Sequence, residues 1–486
     1  MRLLILDIDS MKADHLGCYG YERDTSPNID RIAEEGMRFE NYYTSDAPCL
    51  PSRTALMTGQ FGIHNGVVGH GGVAADLRLE GEARNFQDRL ATGSLAGLLR
   101  GAGLKTALIS PFPERHSSWA FNAGFNEIYN TGDCGMEEAE QVTPVVTDWL
   151  ERHGEQDDWC LYVNYWDPHT PYRTPEKFGN PFKDVPLPRW MTEDVLEKHR
   201  DVVGPHSIHE IDMYWSNPLP QFPRYPTKIE TMTDMKRMFD GYDCGIRYAD
   251  EQIGKILNLL AEQGVLEDTA IIITADHGEN IGELGIYGEH GTADQGTCRI
   301  PMIIRWPGRH GRTVDHAFHY SLDLLPTLAD LLGQEKRSHW DGQSYAETIK
   351  HSVENGRDYL IVSQCAHVCQ RSVRFENWLY IRTYHDGYHL FDKEMLFDLE
   401  NDPHEQKNLA QAYPEVCKEA VYYLNEWHDE QMTTMSFDND PLWTVMKEGG
   451  PYHAKGHLPM YVERLRKTGR EQLAQKLIDR HPEEFK

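Results

Sequence analysis

Three short stretches carry side chains able to do chemistry: DIDSMKADH at 7–15, DAPCLPSRTALMTG at 46–59 and TADHGEN at 274–280. The first closes an apolar run, Arg2 to Asp9, that reads as a buried parallel strand with acid at its carboxyl end, where α/β sheets hold their ligands. Strand alternation puts Asp7 and Asp9 on one face, but the last residue of a strand can turn into the cleft. Asp9 is therefore the better ligand and Asp7 a buried partner; the plainer reading makes Asp9 a helix cap. In the third stretch, Asp276 and His277 follow another apolar strand and precede a glycine, offering an oxygen and a nitrogen donor of the kind a divalent cation takes. A capping pair at a helix start is the alternative there.

The middle stretch is harder to place. Cys49 lies in a Pro/Ser/Arg turn that opens a helix, beside Pro48 and Pro51, a poor setting for an inert core thiol. A nucleophilic cysteine needs a histidine and a carboxylate to lower its pKa, and spacing alone assigns neither.

Helices and strands alternate around these stretches. SPNIDRIAEEGMRFEN (26–41) has Ile29, Ile32 and Met37 near helical spacing; a helix from Ser94 leads to a strand through Ile109; Ile253, Ile256, Leu257 and Leu260 share a helical face before the strand Ala270 to Thr274. The expected fold is α/β, a large mixed, mostly parallel sheet sandwiched by helices, filling residues 1–355. An aromatic, proline-rich insertion at about 176–235 reads as an ordered lid. NWLYIRTYHDGYHLFDKEMLFDLEND (377–402) reads as antiparallel strands turning at Asp386-Gly387, within a smaller C-terminal α+β unit, 356–486.

Composition narrows the function. The 486 residues carry 48 Lys plus Arg against 77 Asp plus Glu, a net charge of −29 that disfavours nucleic acid. Nine scattered cysteines and a start, MRLLILDID, without a leader pattern lead to an expected cytoplasmic location with no membrane partner. Cys365 and Cys369 lack a second pair for a metal and are expected at half-buried strand positions.

Cys-x-Pro-Ser-Arg continued by Thr58-Gly59 resembles the signature of the formylglycine-dependent type I sulfatases, in the alkaline-phosphatase-like superfamily. LILDIDSMKADHLGCYGY, YVNYWDPHTPY, IIITADHGENIGE, RIPMIIRWPG, SLDLLPTLADLLG and LFDLENDPHEQKNLA are similar to the family in the same order. The resemblance implies that a maturation enzyme oxidises Cys49 to Cα-formylglycine, hydrated to a geminal diol. One diol hydroxyl would attack sulfur, and deprotonation of the other would expel sulfate. It further implies a divalent cation held by Asp9, Asp276, His277 and residue 49, with Ca²⁺ first choice and Mn²⁺, Mg²⁺ or Zn²⁺ as others. Arg53 would hold diol or sulfate, and His169 of DPHTPY would touch sulfate and protonate the leaving group.

The chain also departs from that pattern. A family Gly-Lys-x-His segment is missing after KTALIS, so Arg115 or His116 would supply the substrate-side charge. A second family lysine is replaced within GEHGTAD, making His290 its substitute, and His70 falls where relatives carry a substrate-side Asn or His. The pocket is thus unusually rich in histidine. The activity expected is hydrolysis of a sulfate ester of a sugar or other small organic sulfate, with phosphonate monoester or phosphodiester hydrolysis as the alternative. A homo-oligomer is compatible with the sequence.

Overall fold

The computed structural model describes residues 1–78, 81–82, 85–86, 90–309, 311–435 and 439–485. Eight strands form the large sheet in the order Thr313–Tyr320, Met37–Tyr43, Met302–Arg305, Thr269–Thr274, Arg2–Ile8, Trp159–Tyr165, Lys105–Ile109, Glu127–Tyr129. Met302–Arg305 runs antiparallel to both its neighbours; the other pairings are parallel. The central strands are buried along almost their whole length, which is why they read as continuous apolar runs rather than alternating ones. Helices gather in two packed groups. Pro27–Glu35 and Ala139–His153 lie on the long helix Met232–Glu262, while Cys49–Thr58 packs with Leu95–Gly101 and Leu324–Leu331.

Register places the chemistry. Arg2 pairs with Thr269 and Asp7 with Thr274, so Asp9 and Asp276 each stand two residues past the last matched pair, side by side at the carboxyl ends. On the other side, Ile8 pairs with Tyr165, delivering the Trp166–His169 turn to the same edge.

A second, five-stranded sheet has the order Glu394–Asp398, Trp378–His385, Cys369–Phe375, Tyr359–Gln364, Asp46–Ala47. Its last strand comes from the segment just before Cys49 and pairs parallel with Ser363 and Gln364. The small sheet therefore abuts the helix that opens at residue 49.

Several local expectations need correction. Met37 begins a strand rather than continuing a helix, because the chain breaks at Gly36, where a Cβ would meet the Ile304 carbonyl at 2.5 Å. The helix leading to Thr269–Thr274 begins at Met232, inside the expected insertion, capped by Thr231 and Asp234. Strands Trp378–His385 and Glu394–Asp398 do turn at Asp386-Gly387, where the His389 backbone N–H donates to the Asp386 carbonyl at 3.0 Å, but further loop residues follow before Glu394. Cys365 and Cys369 are fully buried rather than half-buried.

Candidate active site

Asp9, Cys49, Asp276 and His277 meet at the carboxyl edge of the large sheet, their donor atoms all within 4.8 Å of one another and all buried. Cys49 is the first residue of helix Cys49–Thr58 and only 1% exposed. The thiol is buried, but its setting differs from an ordinary core, as the flanking prolines predict: Sγ lies 3.0 Å from His277 Nε2, beside two carboxylates. Ser52 Oγ donates to the Asp276 carbonyl at 2.6 Å, tying the helix to the neighbouring strand tip.

Arg53, wholly buried, faces acids on several sides. Its Nε donates to Asp7 Oδ2 at 2.8 Å, Nη1 lies 2.9 Å from Asp9 Oδ2, and Nη1 also bonds Asp276 Oδ2. Tyr162 donates to the same Asp7 oxygen at 2.8 Å, so Asp7 is a partner of Arg53 and stands outside the four-residue cluster. Arg53 Nη2 is buried without a hydrogen-bond partner. One face of the guanidinium thus knits the acids together and one nitrogen stays unsatisfied.

Charge in this pocket is unevenly distributed. Burial alone would raise Asp9, but Arg53 and then His169, His277 and His290 outweigh it and hold the carboxyl below the usual range. Burial wins at Asp276, which is pushed well up despite Arg53. Burial, then Asp9 and Asp276, push the Cys49 thiol well above its ordinary value, so an unmodified cysteine here is a poor nucleophile.

The donor set fits a divalent cation. Asp9 Oδ2 is buried and ion-paired with Arg53 Nη1 at 2.9 Å but receives no aligned hydrogen bond, leaving a lone pair a cation could take. His277 Nδ1 lies 2.8 Å from the Gly278 carbonyl, which can only accept, so Nδ1 bears the proton and the Nε2 lone pair faces residue 49.

The other expected residues surround this core. His169 Nε2 lies 4.0 Å from Asp9 Oδ1, and its Nδ1 bonds the Thr170 carbonyl while the ring stacks on Trp166. His290 stacks on His277 with centroids 4.1 Å apart and groups with Cys49 and His277. Its Nδ1 is 3.5 Å from Glu279 and its Nε2 3.2 Å from Glu289. His70 and His116 lie farther along, with ring centroids 5.0 Å apart, and Arg115 is exposed beside His116.

Sequence reasoning missed Tyr162, Glu279, Glu289 and Arg173. Arg173 lies four residues after His169, is buried, and has Nε and Nη1 unpaired. It also missed His367 and His453, which join His70 from the second sheet's loop and from residues near the C-terminal helices. No periodicity or motif marked them; only the count of 24 histidines hinted at more.

Carboxylates from adjacent parallel strand tips and a helix N-terminus converge at one edge of a mostly parallel sheet, an arrangement of the alkaline-phosphatase-like fold. Comparison with known proteins gives the particular family. The sulfatase family matches residues 3–334, and a second family, described as N-sulphoglucosamine sulphohydrolase, C-terminal, matches residues 282–430. The chain belongs to the sulfatase family and is a sulfuric ester hydrolase. It is 28% identical over 440 residues to a choline-sulfatase of Rhizobium meliloti, covering 79% of this chain and 78% of that one. A solved structure in complex with its substrate D-glucosamine-2-N,6-O-disulfate superposes with a TM-score of 0.71 at 20% identity, over 91% of this chain and 99% of that one. A phosphonate monoester hydrolase of Agrobacterium radiobacter superposes with a TM-score of 0.67 at 20% identity, over 88% and 96%. No helix among the described residues is long and apolar enough to cross a membrane.

Proposed function

We propose that this sulfatase hydrolyses the sulfate ester of a sugar or other small organic sulfate, using formylglycine made from Cys49 and one divalent cation. The observation that carries the reading is the convergence of Asp9, Asp276 and His277 on residue 49 at a helix N-terminus, with the thiol itself held protonated. Asp9, Asp276, His277 and the oxygens that replace Sγ would hold the cation; the family resemblance makes Ca²⁺ the first choice, while the one imidazole shifts the donor set toward Mn²⁺ or Zn²⁺. The hydrated aldehyde with its cation supplies an activated hydroxyl nucleophile and a Lewis acid for the sulfate oxygens.

The remaining work belongs to the chain's own side chains. Arg53 bonds Asp7 and Asp276, faces Asp9 and has Nη2 left for an incoming anion. The first turn of the Cys49 helix favours negative charge at the same place. His169, kept neutral by burial, is oriented by its Nδ1–H on the Thr170 carbonyl, so Nε2 is the atom that takes and delivers the leaving-group proton. An arriving sulfate raises the affinity of Nε2 for that proton. His290, locked between Glu279 and Glu289, has the position to steady a sulfate oxygen or the leaving atom. His70, His116 and Arg115 form the substrate side. A formylglycine-generating enzyme is the implied maturation partner.

Side-by-side turnover of aryl sulfate, aryl phosphonate and phosphodiester substrates tests the reading. Sulfate should be turned over with the highest kcat/KM; phosphonate preference by orders of magnitude would reverse the assignment.

A further inference from the structure

Convergent metal-ligating side chains occur at three places among the described residues. One is the site above. In the second, Asp14, Glu283 and His404, the ammonium of Lys12 sits 2.6 Å from Glu283 and 3.7 Å from Asp14, so a cation's place is already filled by the chain. The third, His70, His367 and His453, has no such occupant.

In that third group one ligating nitrogen from each ring lies within 4.8 Å of the others. His70 Nδ1 and His453 Nε2 are 3.0 Å apart, and the His367 and His453 rings stack at 4.2 Å. Adjacent buried imidazoles resist being charged together, so each neutral ring presents a lone pair. A tetrahedral ion with bonds of about 2.0–2.1 Å to nitrogen needs ligand atoms about 3.4 Å apart, within the span observed. A simple hydrogen bond between His70 and His453 would account for that one contact but not for the convergence of His367 on the same point.

The surrounding structure holds these rings in place. The His453 N–H donates to the Ala366 carbonyl at 3.0 Å, and the Ala366 N–H to Gln364 Oε1 at 2.7 Å. Gln364 Nε2 in turn donates to the His290 carbonyl at 3.0 Å, linking the cluster to the reaction site. Gly71 presses on Tyr452 so closely that a Cβ would stand 2.2 Å from the ring, fixing the His70 loop against the His453 loop. Glu289 lies 3.7 Å from His367 Nε2, where an outer carboxylate commonly orients a ligating imidazole.

We propose that His70, His367 and His453 form a second metal centre, separate from the Asp9–Asp276–His277 site, for a zinc-class divalent cation with three imidazole ligands. Three ligands leave a fourth position, the arrangement of an exchangeable rather than closed site. The centre borders the substrate side: His70 and His116 have centroids 5.0 Å apart, and His367 and His290 6.2 Å. A cation there would bind an oxygen of the substrate away from the scissile ester. That last role rests on the proposed function, whereas metal binding itself does not.

The test counts bound metal. Full-length protein stripped with chelator is equilibrated with Ca²⁺ and then with Zn²⁺ alone at micromolar concentration, and the equivalents retained after desalting are measured by plasma mass spectrometry. The wild-type chain should retain one more zinc equivalent than His453→Ala and His367→Ala, while calcium retention is the same in all three. Co²⁺ should give a visible ligand-field band in wild type that both variants lose. His453→Gln and His367→Asn, checked for wild-type melting, serve if an alanine variant fails to fold. Equal zinc equivalents in folded wild type and variants, or none in wild type, would overturn the proposal even if sulfatase activity is intact. Loss of the sulfatase reading with the extra equivalent still present would leave the metal centre standing.

Discussion

The two walls of the pocket are built on opposite electrostatic plans. One wall, at the tips of the large sheet, is densely charged: Arg53 lies against Asp7, Asp9 and Asp276, with His277 and residue 49 beside them. The other, made by loops and the second sheet, is a run of uncharged imidazoles, His70, His116, His367 and His453, each lowered chiefly by burial. With a divalent cation among its acids, the charged wall would be suited to neutralising a tetrahedral anion. The neutral wall offers lone pairs and N–H groups, with Glu289 and Arg115 as charges at its margins, which suits selection among polar substrates or a divalent cation.

Breaking the charged wall at its centre should have the largest effect. Cys49→Ala removes the nucleophile and should lower kcat by about 10⁴- to 10⁶-fold while leaving the melting curve close to wild type, measured on an aryl sulfate. The junction between the walls is His169. His169→Ala should cost about 10²- to 10⁴-fold in kcat with an alkyl sulfate, whose leaving group needs a proton, and much less with an activated aryl sulfate. Equal losses on both would remove it from the proton path.

Arg53→Met probes stability. It strands buried carboxylates without their guanidinium and should lower unfolding free energy by about 3–5 kcal/mol, read from the denaturant midpoint. An excess of Ca²⁺ should restore part of the loss if a cation shares those acids.

The smallest effect sharpens the neutral wall. Burial, followed by Arg53, pushes His116 down to about 3 from its ordinary 6.5. Between those values the unfolded chain binds a proton that the folded chain refuses. His116 therefore destabilises the fold as pH falls from about 6.5 toward 3, and contributes no such slope above that window. His116→Gln should flatten the acid limb of stability against pH by at most about 1.4 kcal/mol per pH unit, less for a partly exposed ring. An unchanged slope would mean that the ring is charged in the folded protein.

The contrast also explains what could be read from the letters. Asp9, Asp276 and His277 end apolar strands, and a parallel register automatically places equivalent tips together, so local sequence carried the charged wall. The helix start at Cys49 was legible from its Pro/Ser/Arg turn, and His169 only through the resemblance of DPHTPY to the family. Arg53 was legible as a cation but not as the partner of Asp7, because that contact depends on how the helix seats against the sheet. Half of the neutral wall was legible: His70 and His116 came from the departures from the family pattern, whereas His367 and His453 did not. His70, His367 and His453 come from three loops far apart in sequence, and nothing in their local patterns encodes the approach of the second sheet to residue 49.

The most direct measurement follows residue 49 itself. Preparations matured to different extents are digested, and the fraction of the 49-containing peptide lighter by about 18 Da, the change from thiol to aldehyde, is compared with kcat on the same samples. Activity should rise in proportion to the aldehyde fraction and vanish where every peptide can still be alkylated at the thiol. Full turnover by protein whose Cys49 is entirely free would contradict the account.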